Sequence, residues 1–133
     1  MNTLGPFALL PAQLVVTKFA PIEEWEEHAK TLFDMQRWCS FWIGDMMDIA
    51  ECRFGDDAWQ IPPLQSSASS VERFMGVARK LPPETRAKSL SFQHHLLALR
   101  IKEPAVRNAL LRRAEQESMN TEEFGKVIAS YAC

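Results

Sequence analysis

From Trp25 onward, apolar residues recur at Ala29, Leu32, Phe33, Met35, Trp38, Cys39, Phe41, Trp42, Ile43, Met46, Met47, Ile49 and Ala50. The spacing follows the helical period, and the apolar stripe widens until it wraps most of the helix. A helix over 21–55 is therefore predicted, and a surface of that kind must be covered by the rest of the domain or by a second copy. Pro21 suits the first helical position, and Glu23, Glu24, Glu26 and Glu27 suit the positive end. Gly55, followed by Asp56 and Asp57, ends the run.

Beyond it the pattern breaks into short punctuated segments. Residues 57–65 read as one turn of helix broken at Pro62 and Pro63. Ser69 followed by Glu72 matches a capping box that opens a new helix. On this helix Val71, Phe74, Met75, Ala78 and Leu81 fall on one face, and Ser70, Arg73, Gly76, Val77 and Lys80 on the other. The second face is small and partly basic, and at Gly76 another backbone could approach closely. Pro82 and Pro83 end the helix and begin a short one. Ser91 is placed to cap a helix running to about Arg100. Pro104 seeds the next, with Val106, Ala109, Leu110 and Ala114 inward and Arg107, Arg112 and Arg113 outward. Asn120 with Glu123 forms another capping signal, and Met119 with Phe124 a hydrophobic staple.

Ahead of these helices, residues 1–20 hold Pro6, Pro11 and the short β-branched run 14–17. An N-terminal arm or one isolated strand is expected, and one strand makes no sheet by itself. Six or seven helices without a second strand predict an all-α helical bundle, divided into an arm (1–20), a long amphipathic helix (21–55) and a bundle (56–133).

The length of 133 residues with 47% apolar content allows one hydrophobic core. No stretch approaches the roughly 18 uninterrupted apolar residues of a membrane span, and the first 20 residues lack a signal-peptide pattern, so a cytoplasmic protein is expected. Cys39, Cys52 and Cys133 are odd in number and unpaired in spacing, so neither a disulfide framework nor a metal site is predicted. Cys39, within an aromatic run, reads as a small core residue. The net charge of −2 conceals a polarity. Residues 71–113 carry 10 Lys and Arg against 3 Asp and Glu, a net of +7, whereas residues 1–60 stand at −6. A positive segment in an acidic chain is a footprint of phosphate contact.

Residues 69–84, Ser-Ser-Val-Glu-Arg-Phe-Met-Gly-Val-Ala-Arg-Lys-Leu-Pro-Pro-Glu, resemble the recognition helix and following Leu-Pro-Pro-Glu turn of ParB-type and KorB-type plasmid partition proteins. Residues 90–99, Leu-Ser-Phe-Gln-His-His-Leu-Leu-Ala-Leu, are similar to that family's helix carrying Ser-x-x-His-Ala, and residues 103–124 follow its next two helices. The resemblance covers about half the chain. It implies a helix-turn-helix that binds double-stranded DNA sequence-specifically, with Ser67, Ser69, Ser70 and Arg73 near the end of a helix in the major groove. Gly76 and His94 belong to the same surface, while Lys80, Arg86 and Lys88 meet phosphate. The arginine-rich nucleotide-binding box of partition proteins is absent, so no cofactor is implied. A stand-alone phage- or plasmid-type transcriptional regulator fits, dimerising through the long apolar helix.

Other constellations read more plainly. His94 and His95 point about 100° apart on a helix and do not share one ligand readily; a structural or phosphate-contacting role is expected. Asp45, Asp48 and Glu51 lie on one stripe and read as a solvated acidic face, since no partnering His or second carboxylate cluster accompanies them. No catalytic residue is predicted. The alternative function is a protein-interaction module, an inhibitor or adaptor working through the acidic N-terminal half, with DNA mimicry as one form.

Overall fold

Two tight turns fold residues 2–16 into a sheet. The structure, a computed structural model, describes residues 2–131. Strands β1 (Asn2–Leu4), β2 (Phe7–Leu10) and β3 (Gln13–Val16) run antiparallel in that spatial order. Leu4 pairs with Phe7, Phe7 with Val16 and Leu10 with Gln13. Gly5 in the first turn has φ +54 and Ala12 in the second has φ 58, left-handed values of the kind that two-residue hairpin loops use. This corrects the expectation of an arm or lone strand, and with it a strictly all-α class. Among the described residues 71% are helical, in six α-helices and two 3-10 turns, beside this small sheet. Strands of three or four residues are too short for an alternating pattern to register.

The chain divides into two units, Met1–Gln36 and Arg37–Cys133. In the first, Phe7 is buried and meets Trp25 edge-on at 4.6 Å and His28 at 5.7 Å. A Cβ at Gly5 would displace the His28 ring, and the φ of +54 is what favours glycine in this turn.

Helix α1 spans Ile22–Phe54, close to its predicted bounds, and Gly55 at φ +58 ends it. In the second unit, a 3-10 turn over Gly55–Gln60 leads into α2 (Pro62–Ser66). The expected break is present, since the 3-10 turn stops at Gln60 and Ile61 is extended, and the prolines also start α2, because proline fits the first helical turn, where its missing N–H has no intrahelical partner to lose. Helices α3 (Ala68–Lys80), α4 (Phe92–Ala98), α5 (Pro104–Gln116) and α6 (Thr121–Tyr131) complete the unit.

Three apolar clusters hold it together. Met47, Ala50, Ala58, Leu64, Val71 and Met75 join α1, α2 and α3. Phe41, Val77, Ala78 and Leu81 bind α1 to α3. Leu111, Ala114, Phe124 and Ile128 centre the cluster of α4, α5 and α6. Phe74, Phe92, Phe41 and His95 form a run of edge-on rings at 5.2, 5.2 and 4.8 Å, linking α3, α4 and α1. Val77 is buried rather than outward as the helical wheel suggested, because α3 meets neighbours on more than one side. Val106 and Ala109 are exposed, against expectation, and Leu111 takes the inward place. Cys39 is exposed, not core: the inner face of α1 belongs to Phe41, Gly44, Met47 and Ala50. Cys133 lies outside the described residues.

The two later caps form as read. Ser91 Oγ accepts from His94 N–H at 3.3 Å while His94 Nδ1 accepts from Ser91 N–H at 3.2 Å, a capping box with histidine in the glutamate place. Asn120 and Glu123 exchange bonds of 2.8 and 3.2 Å. Helix α5 ends in a Schellman motif, with Met119 N–H on Ala114 O at 3.0 Å and Ser118 N–H on Glu115 O at 3.3 Å. This places Ser118 at φ 50, a conformation that disfavours side chains other than glycine. Ser118→Gly is therefore expected to stabilise the protein by about 1 kcal/mol. Urea unfolding measures it, and an unchanged or lower midpoint refutes it.

Candidate nucleic-acid interface

Helix α3 turns two faces in different directions. Val71, Met75, Val77 and Ala78 are buried, and Ser69, Glu72, Arg73 and Lys80 are exposed. Gly76 lies among the outward residues, and a Cβ placed there meets nothing within 4 Å. The outer stripe Ser69, Arg73, Gly76, Lys80 is thus an open, weakly basic helical surface. The expected Ser69 capping box is absent: α3 begins at Ala68, and Ser67, its N-cap and also the end of α2, makes no side-chain cap bond. One residue, Ser67, separates α2 from α3, where a helix-turn-helix uses three or four. Ser67 and Ser69 are exposed and Ser70 is half-buried at this junction.

Two arginines of the basic segment are committed to α1. Arg86 forms a bidentate pair with Asp45, at 2.8 and 2.9 Å. Its Nε donates to Leu81 O at 2.8 Å and Nη2 to Ala78 O at 3.1 Å, and the guanidinium lies 4.5 Å from the Phe41 ring centroid. Ala78 lies in the last turn of α3 and Leu81 caps it, so these carbonyls lack helical partners. Arg86, with a side chain only 13% exposed, is a structural clasp and not the phosphate contact expected of it. Arg79 likewise reaches Asp48 at 2.6 Å and Glu51 at 3.0 Å. The Trp59 indole N–H, donating to Glu51 at 2.8 Å, together with the Arg79 bond, holds the Glu51 carboxyl below its usual range. The stripe of Asp45, Asp48 and Glu51, read as a solvated face, is therefore the anchor of α3 and of the turn that follows it. Pairing across 28 to 41 residues leaves no local mark in the sequence.

His94 is corrected as well. It is buried, its Nε2 lies 2.9 Å from Met119 O, and its Nδ1 serves the Ser91 cap, so no ring nitrogen remains for a phosphate. The neighbouring His95 is buried and also fully engaged. Both imidazoles hold α4 in place, consistent with the structural half of the expectation.

Within the basic segment 71–113, the cations without a carboxylate partner among the described residues are then Arg73, Lys80, Lys88, Arg100, Lys102, Arg107 and Arg112. Of these Arg107 donates to Ile101 O at 3.0 Å. Lys88 stands apart from α3, beside a cleft of about 440 Å³ lined by Trp38, Phe41, Trp42, Asp45, Pro83 and Arg86. Its carbonyl accepts from the Trp38 indole at 3.0 Å. This cleft had no sequence signal beyond the aromatic run itself. Among the described residues no group of three His, Cys, Asp or Glu is placed to hold a metal, and no helix is long and apolar enough to cross a membrane. The chain matches no family model, no curated protein and no solved structure.

Proposed function

We propose that the chain is a sequence-specific DNA-binding protein, a regulator of phage or plasmid type, whose reading element is the outer face of α3. The observation that carries this is the stripe of Ser69, Arg73, Gly76 and Lys80: two cations without acidic partners flank a glycine with open space above it, on a helix clasped from behind by Arg79 and Arg86. A helix held this firmly on one side and free on the other meets the geometric need of major-groove entry. The proposal rests on that face and on the resemblance of residues 69–99, since the one-residue link from α2 departs from the usual motif. Fixing Asp45, Asp48 and Glu51 in ion pairs removes part of the acidic surface that an adaptor or DNA mimic would offer, which favours DNA.

Fluorescence anisotropy on duplex fragments of the gene's own upstream region, across a salt series, tests this. The parent is expected to bind at low salt with a negative log–log salt slope. Arg73→Ala with Lys80→Ala should lower affinity about tenfold or more and flatten the slope by about 2, while the melting temperature stays unchanged. Equal binding by the double variant, or no binding by the parent at low salt, rejects the reading.

A further inference from the structure

We infer that the outer face of the second half of α1 is a self-association seam that takes a second copy of this chain in antiparallel orientation. Cys39, Trp42, Met46 and Ile49 succeed one another at spacings of three, four and three residues. This is the a/d rhythm by which one helix packs on another. All four are exposed, with Trp42 at 46%, Met46 at 53% and Ile49 at 52% of their full accessibility. They are not spare core: the opposite face, Phe41, Gly44, Met47 and Ala50, is buried within the unit.

The surroundings of the stripe favour a partner of the same kind. Asp45, which flanks it, is closed by Arg86 and so is not left open for a basic partner to neutralise; Arg53, four residues beyond Ile49 and exposed, is the charge at the end of the seam. Its side chains also differ in size in a self-complementary order. A two-fold axis crossing the exposed face at the level of residue 44 sets bulky Trp42 against flexible Met46, and small Cys39 against branched Ile49, in both halves of the seam. A parallel pairing would instead oppose Trp42 to Trp42 and Cys39 to Cys39, stacking the largest and the smallest side chains in separate layers, which packs unevenly. The exposed apolar area is on the order of 400 Å² per copy, the size of a functional patch. Two copies together would bury about 800 Å², below the standard interface, so association in the micromolar range or weaker is expected.

Sedimentation velocity without DNA, from about 5 to 500 µM, is expected to show a reversible monomer–dimer equilibrium. Met46→Glu and, separately, Ile49→Lys should each weaken it about tenfold or more without changing the melting curve of dilute protein, since both side chains are half exposed. The orientation is read from thiol cross-linking in a background of Cys52→Ser and Cys133→Ser. Mild oxidation should link copies efficiently when Ile49→Cys is added to native Cys39, and poorly when Cys39 is the sole thiol. A parent that stays monomeric throughout the range, or two charge variants that associate as well as the parent, overturns the seam. Efficient linkage through Cys39 alone overturns the antiparallel arrangement. None of these outcomes depends on DNA binding, so the seam and the DNA-reading face of α3 stand or fall separately.

Discussion

Replacing Gly44 by alanine is expected to destabilise the protein by about 2 kcal/mol, although alanine is the better helix former. In an open helix the change would gain about 0.5–1 kcal/mol by restricting the unfolded chain. At position 44 the added Cβ would press on the Phe74 carbonyl oxygen and stand 2.7 Å from its carbon and 3.1 Å from the Ala78 Cβ. Two of these are backbone atoms of α3, which no rotamer change can move, so α1 and α3 must separate. Separation strains the Arg79 and Arg86 pairs that cross the same contact and loosens Phe41, Val77 and Leu81. A fall in melting temperature of about 5–10 °C follows for a chain of this size. Gly76→Ala is the matched control, because nothing lies within 4 Å of its Cβ. It should raise stability by about 0.5–1 kcal/mol, and lower DNA affinity if a nucleic-acid backbone approaches there. A Gly44→Ala protein as stable as the parent would mean that the two helices are not in backbone contact.

The second large effect is expected at His95. Its Nε2 accepts from Ala87 N–H at 2.9 Å, and its Nδ1 lies 2.8 Å from Ser91 O. An acceptor at Nε2 and a carbonyl at Nδ1 fix the neutral tautomer with the proton on Nδ1. Burial pushes the imidazole below its ordinary value of 6.5; His94 and Arg86 push the same way, against the Ser91 carbonyl and Glu115. Between the unfolded and folded values, only the unfolded chain takes up the proton, so the contribution of neutral His95 is complete above about pH 6.5 and is lost as pH falls below it. Protonation of Nε2 would also set two N–H groups against each other. His95→Leu should cost about 3 kcal/mol near pH 7.5, because it leaves the Ala87 N–H without its partner and the Ser91 carbonyl with only the backbone N–H of residue 95, while removing a buried, fully bonded ring. The deficit should narrow between pH 6.5 and 5, since the parent alone loses the neutral-histidine contribution. Urea midpoints of both proteins across that range decide the matter; a gap that stays constant with pH would show that His95 is not held neutral.

These two residues mark where sequence reasoning reached its limit. The 33-residue helix was legible almost to its ends, because a long periodic stripe, Pro21 and Gly55 are local signals. So were the caps at Ser91 and Asn120, which depend on residues three positions apart. Gly44 carried no signal of its own: its role comes from Phe74, 30 positions away, and a glycine inside an apolar run looks like any small residue. The histidine pair was read as structural or phosphate-contacting, with His94 on the DNA side, and nothing local marked two imidazoles with every nitrogen engaged. The sheet was missed because its strands are shorter than the window in which alternation can be recognised.

Charge separates most clearly what each level decides. That residues 71–113 carry a net of +7, that the apolar stripe of α1 widens along its length, and where most helices begin and end can be read along the chain, because all three follow from local composition and period. Which of those cations remain open depends on how the helices pack. Packing α3 on α1 brings Asp45, Asp48 and Glu51 to Arg86 and Arg79, leaving Arg73 and Lys80 outward with Gly76 between them. The same packing buries Phe41, Gly44, Met47 and Ala50 and so leaves Trp42, Met46 and Ile49 exposed. The physical reason is common to both outcomes: a side chain's partners lie dozens of residues away, and desolvation and ion pairing act through space, not along the chain.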